Sequence, residues 1–127
     1  MRVPISFFME VGVGSQKSVV SKRINYPFIL KKVRVYFPEG CELKVEVQVI
    51  VSDDKSLPAD IPPPGINIFQ MLGEENMIRG NGNVIETECD LRFGERGKYI
   101  KFYCDNTDAI EEHSCYAVCD IQTLKGR

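Results

Sequence analysis

Residues 42–51 read ELKVEVQVIV. Leu43, Val45, Val47, Val49 and Val51 fall on one side, while Glu42, Lys44, Glu46 and Gln48 fall on the other, with Ile50 the one exception. Strict period-two alternation over ten residues is the mark of a half-buried β-strand. Upstream, residues 28–37 (FILKKVRVYF) alternate with Val33, Val35 and Phe37 against Lys32, Arg34 and Tyr36. Pro38-Glu39-Gly40 separates the two runs, so they are expected to form an antiparallel hairpin. Residues 84–93 place Ile85, Thr87, Cys89, Leu91 and Phe93 opposite Val84, Glu86, Glu88 and Asp90. Residues 98–104 place Ile100, Phe102 and Cys104 opposite Tyr99, Lys101 and Tyr103. Residues 113–124 are apolar on both faces, as a central strand is.

The remaining stretches fit the same class. The N-terminal residues up to Val13 are strand-like, and a further strand is expected near residues 17–24. Residues 52–65 carry four prolines and read as a long loop, functional or mobile. Residues 66–72 fit a short strand or a helical turn, and glycines mark loops at residues 73–82 and a turn at residues 94–97. No long segment has the 3.6-residue period of a helix. The sequence therefore predicts an all-β, two-layer antiparallel β-sandwich of seven or eight strands with little helix, jelly-roll-like in form.

The 127 residues amount to one domain, 1–127, with a folded surface of roughly 6,800 Å² and a real core. No apolar run approaches the length of a membrane helix, and the N-terminal apolar stretch, interrupted by Glu10, is too short for a signal peptide. The net charge of −2 conceals a split. Residues 1–40 hold seven Lys/Arg and two acids, a balance of +5, whereas residues 41–127 hold nine basic and sixteen acidic residues, a balance of −7. Interleaved strands mix these charges into an ordinary surface. Segregation to opposite ends implies head-to-tail or ring contacts between copies.

Five cysteines, Cys41, Cys89, Cys104, Cys115 and Cys119, contain no CxxC pair. Their odd number favours buried reduced thiols in an intracellular protein, with disulfides as the hyperthermophile exception. Cys115 and Cys119 are about 13 Å apart on a strand, too far to bond each other. Cys104 reaches either of them if the last two strands pair.

Candidate chemistry is sparse. His113, Cys115 and Cys119 form H-x-C-x3-C on one strand face, with Cys104 nearby as a further soft ligand. Asp105, Asn106, Asp108, Glu111 and Glu112 crowd one loop with the hard oxygen donors that Ca²⁺ takes. Asp53, Asp54 and Asp60, and Glu74 and Glu75, are weaker sets of the same type. A solvated acidic loop and small core thiols are the ordinary reading, so no metal, cofactor or catalytic residue is expected. The single histidine leaves one conventional base, and no nucleophile elbow, zinc-protease, P-loop or dinucleotide motif occurs. A cupin-type enzyme would need clustered histidines. Lys17, Lys22, Arg23, Lys31, Lys32 and Arg34, with Tyr26 and Tyr36, suit phosphate contact only weakly, so nucleic acid is not an expected partner. With no tryptophan, a sugar platform would rest on tyrosines such as Tyr99 and Tyr103.

Two segments resemble small β-sandwich modules encoded by tailed phages and other viruses of thermophilic hosts. One is residues 24–51, where a proline-led strand enters V-x-V-x-F-P-x-G-C and an alternating strand follows. The other is residues 99–119, where an aromatic strand meets Asn106-x-Asp108, then His113 and a final strand. The resemblance spans about 50 residues. Glu111-Glu112 before His113 and the additional cysteines depart from that pattern, and no site residue is carried over. The resemblance implies a non-enzymatic virion jelly-roll, a capsid decoration or head/tail protein. Such a protein forms a symmetric homo-oligomer, commonly a trimer, and contacts capsid or other virion proteins. Its expected location is the virion or host cytoplasm, without a membrane. The alternative expectation is a carbohydrate- or Ca²⁺-dependent binding module.

Overall fold

The computed structural model describes residues 2–58, 61–73, 77–94 and 97–124. Asp60, Glu74, Glu75, Glu95 and Arg96, and the tail 125–127, lie outside the described residues. The elements are β1 (Arg2–Val11), β2 (Gln16–Val20), β3 (Phe28–Tyr36), β4 (Val45–Ser52), β5 (Ile66–Asn67), α1 (Ile68–Met71), β6 (Ile78–Arg79), β7 (Val84–Phe93), β8 (Tyr99–Asn106) and β9 (His113–Thr123). The first sheet has the order β1-β9-β3-β7. The second has the order β2-β8-β4-β5, with β6 also paired to β4.

Pairing is nested and antiparallel: β1 with β9, β2 with β8, β3 with β7, and β4 with β5 and β6. Nested pairs divided between two sheets are one long hairpin rolled over itself, which is the jelly-roll winding. The two-residue strands β5 and β6 share one position against β4, so the nine strands among the described residues fill eight places. Segment 66–72, readable as strand or helical turn, contains both, with Asn67 Oδ1 capping α1 by accepting from the Gln70 N–H.

The core lies between the sheets. Phe7, Met9, Val11, Val33, Val35, Ala117, Cys119 and Ile121 of the first sheet meet Val45, Val47, Val49, Val51, Ile100, Phe102 and Cys104 of the second. The Phe7 and Phe102 rings stand 5.9 Å apart across the interface. In β3 the inward parity changes from Phe28 and Leu30 to Val33 and Val35, because a register shift between Leu30 and Lys32 inserts one residue. At the matching irregularity of β7, Asp90 has φ 54° and pairs with Lys31.

Several sequence expectations are corrected. The alternating strand begins at Val45, not at residue 42, because Glu42 (φ 49°) and Leu43 (φ 64°) form a left-handed turn closed by the Lys44 N–H on the Cys41 carbonyl. Leu43 is consequently 59% exposed rather than inward. The strands β3 and β4 are not a hairpin, since they lie in different sheets and residues 37–44 cross between them. Nor do β8 and β9 pair. Cys104 and Cys115 nevertheless join in a disulfide, which ties the two sheets to each other and replaces the expected reduced thiols at these two positions.

The outer face of the second sheet is also covered rather than half-exposed. Residues 53–58 and 61–65 lie across it. Lys101, 0% exposed, donates to Asp54 Oδ1 at 3.0 Å and to the Pro64 carbonyl at 3.4 Å, and Lys98 pairs with Asp53. Gly65, at φ 141°, passes so close to β4 that a Cβ there would sit 2.6 Å from Ile50 Cγ2. The proline-rich loop is thus strapped to the sheet, and Tyr103 is buried beneath it.

Candidate functional site

At one end of the sandwich the connection from β8 to β9 is held by a buried polar network. Asn106 Nδ2 donates to the carbonyls of Val11, Gly12 and Glu111 at 3.1, 3.2 and 3.0 Å. Asn106 Oδ1 accepts the Asp108 N–H at 3.0 Å. Asp108 Oδ1 in turn accepts the N–H groups of Ile110 (2.9 Å) and Glu111 (3.4 Å). Its Oδ2 lies 2.9 Å from His113 Nε2, and because an ionised carboxylate only accepts, the proton sits on Nε2. The His113 hydrogen bond, then the Ile110 N–H, hold the Asp108 carboxyl down at about 2.

Of the sequence candidates, Asp108, Glu111 and His113 come together, with one ligand atom from each within 4.8 Å of the others. A carboxylate pair with an imidazole is a donor set suited to a divalent cation. The remaining candidates are elsewhere or engaged. Asp105 lies on β8 opposite Gln16 and Glu46, its pKa raised by burial and then by Glu46. Glu112 is exposed. Cys115 is bonded to Cys104. Cys119 is a buried thiol whose pKa burial pushes up. His113, Cys115 and Cys119 do share the inward face of β9, but as core residues.

Asp108 and Asp54, the latter also held at about 2 by Ser56 and then Lys101, make stability depend on pH in a defined direction. Both carboxyl pKa values are lower in the folded chain than the ordinary value near 3.8. Their contribution is present above that value and is lost as pH falls through it towards 2. Urea midpoints measured from pH 6 to pH 2 are expected to drop across this window, and to drop less steeply in Asp108→Asn and Asp54→Asn. An unchanged slope in both variants overturns the assignment.

The second feature lies on the solvent face of the first sheet. The register aligns Phe8 with Tyr116, Tyr116 with Tyr36, and Tyr36 with Val84, one residue from each of the four strands. Phe8 is 59% exposed, Tyr116 and Val84 are exposed, and Tyr36 is half-buried. The Tyr36 and Tyr116 rings are 5.0 Å apart and tilted by 56°. The next two rows are Ser6–Val118–Arg34–Glu86 and Pro4–Asp120–Lys32–Glu88. In these rows Arg34 pairs with Asp120 at 3.2 Å, and Lys32 reaches Glu86 and Glu88 at 3.8 and 3.9 Å.

An apolar row thus crosses the sheet beside a neutralised charged band. Tyr36 was readable as an outward aromatic, but Phe8 and Tyr116 were not. They are far apart in sequence, and only the strand order β1-β9-β3 sets them side by side. Tyr103, a weak candidate for sugar stacking, is instead buried, its hydroxyl bonded to Gln16. The basic set is split as well. Lys31, Lys32 and Arg34 pair with acids of β7 and β9, while Lys22 and Arg23 are exposed on the connection from β2 to β3.

The fold defines the class of this protein as a jelly-roll β-sandwich. No family model and no curated protein matches the sequence. Three solved structures are similar in outline. The periplasmic inhibitor of g-type lysozyme from Aeromonas hydrophila is 11% identical at a TM-score of 0.45, over 94% of this chain and 86% of that one. The Yersinia pseudotuberculosis-derived mitogen is 5% identical at 0.44, over 100% and 91%. The infectious bursal disease virus Gt strain structure is 8% identical at 0.45, over 100% of this chain and 32% of that one. Among the described residues, no helix is long and apolar enough to cross a membrane.

Proposed function

We propose that this chain is a non-enzymatic structural protein of a virion, which self-associates and meets other virion proteins through its exposed sheet face. The observation that carries this reading is the row Phe8–Tyr116–Tyr36–Val84, an apolar line across all four strands on the solvent side. Contiguous exposed apolar surface marks an interaction site, and aromatic residues are the usual anchors of protein interfaces. The single histidine is buried in hydrogen bonding to Asp108, a structural use of the one conventional base. The Cys104–Cys115 bond suits a virion surface, or the interior of a hyperthermophile, where disulfides persist. The resemblance of residues 24–51 and 99–119 to viral β-sandwich modules points the same way.

A second reading has its own observation. The tilted pair Tyr36–Tyr116 beside polar Arg34 and Asp120 is also the composition of a sugar-stacking face. Light scattering on the eluted protein, together with a glycan array, separates the two. The structural reading expects a discrete oligomer and no glycan hit. A strict monomer, or a micromolar glycan lost in Tyr36→Ser/Tyr116→Ser, overturns it.

A further inference from the structure

The seam between the two edge strands β1 and β2 is open. Each strand ends its sheet, and between them lies a groove of about 650 Å³, in the size range of binding clefts. Its floor is apolar, formed by Ile5, Phe7, Val19, Ile24 and Ile121. Its rim carries two exposed cations, Lys22 and Arg23.

The opposite end of β1 carries the complement. There Val11 pairs with His113, and the Gly14 N–H donates to the Asp108 carbonyl at 3.0 Å, which places segment 107–112 at that end. Within this segment Ile110 is 82% exposed, the most exposed large apolar side chain among the described residues. It is followed by Glu111 and Glu112, both exposed. The segment presents Ile110 in a fixed position, because the Ile110 N–H is bound by Asp108 Oδ1 and the Glu111 carbonyl by Asn106. From Ile5 to Val11 the strand runs about 20 Å, so knob and groove cannot meet within one molecule. An apolar knob with two anions at one end thus faces away from an apolar groove with two cations at the other.

We propose that segment 107–112 of one copy seats Ile110 in the β1–β2 groove of the next, with Glu111 and Glu112 against Lys22 and Arg23. This rests on the self-associating reading above and adds to its sheet face a second contact between copies. The contact is heterologous, since different patches meet, and so it builds a ring if the rotation closes and a filament if it does not. It also uses part of the charge split. Lys31, Lys32 and Arg34 are paired across strands, and the charge at the groove, Lys22 and Arg23, is met by a neighbour's acidic segment.

Two surface variants test the contact by light scattering, with circular dichroism as the folding control. Ile110→Asp removes the knob, and Lys22→Glu/Arg23→Glu reverses the groove rim. Ile110→Asp weakens association by about tenfold or more, the fold-change carried by losing one buried aliphatic side chain, and Lys22→Glu/Arg23→Glu weakens it by setting like charges against Glu111 and Glu112. Mixed in equal amounts they associate more tightly than either does alone, because one intact knob and one intact groove remain. Glu111→Lys/Glu112→Lys combined with Lys22→Glu/Arg23→Glu restores assembly. A wild-type oligomer whose mass survives both variants overturns this contact and leaves self-association standing. A wild-type monomer overturns self-association itself. Saturable binding of dodecanoate to the monomer, abolished by Lys22→Glu/Arg23→Glu, assigns the groove to an anionic amphiphile and overturns the contact.

Discussion

Replacing Cys104 and Cys115 together by alanine is expected to cost about 3 kcal/mol of stability, seen as a fall in melting temperature of roughly 10–15 °C. The bond spans 11 residues of sequence but joins different sheets, β8 in the second and β9 in the first. Closing a loop of this length removes about 9 cal/mol/K of entropy from the unfolded chain, which sets the 3 kcal/mol. Both sulfurs lie in the core, so the folded state loses some packing as well. No ladder of hydrogen bonds joins β8 to β9, and their register is maintained only through separate partners. Opening the bond by reduction is therefore expected to reproduce most of the effect of the double substitution. Denaturant unfolding with and without reductant measures it. Midpoints that coincide under the two conditions, with the thiol released, would sink the claim that the bond couples the sheets.

What the sequence reveals and what it hides divide along physical lines. Period-two alternation reports which side chains share a face, a local property. The inward sets of β4, β7 and β8 were legible for that reason. Which strand lies beside which is decided by contacts far apart in the chain. Alternation in β3 and β4 therefore suggested a hairpin where the chain crosses between sheets. Left-handed turns in non-glycine residues leave no compositional trace, and Leu43 looked inward although it sits in one. Burial of a polar outer face is hidden too. Lys101 reads as solvent-facing until Asp54 and Pro64 close over it. The candidate site shows the same division. Asp108, Glu111 and His113 were visible as neighbours in sequence, and the structure gathers them. The aromatic row was not visible, because Phe8, Tyr36, Val84 and Tyr116 become neighbours only through register.

Asn106→Ala is expected to cost about 3 kcal/mol, and the isosteric Asn106→Asp more than that. Asn106 is fully buried and its amide serves three carbonyls from two separate stretches, Val11 and Gly12 at the end of β1 and Glu111 before β9. Alanine leaves those carbonyls, and the Asp108 N–H, without their buried partner. Aspartate keeps the shape but turns an acceptor, or a charge, towards three oxygens, and places it two residues from Asp108. The order aspartate worse than alanine worse than asparagine follows from hydrogen bonding and charge. Loss of volume alone predicts the reverse order for the two variants, so their ranking discriminates. Hydrogen exchange adds a local readout. The Gly14 N–H, bonded to the Asp108 carbonyl, should lose protection in both variants beyond the global loss of stability. The same substitutions release the segment that presents Ile110. Assembly through the β1–β2 groove should therefore weaken even at temperatures where the variants remain folded, because ordering the segment then becomes part of the cost of association. A variant that assembles normally with an unprotected Gly14 would separate the network from the knob and leave Asn106 a purely structural residue.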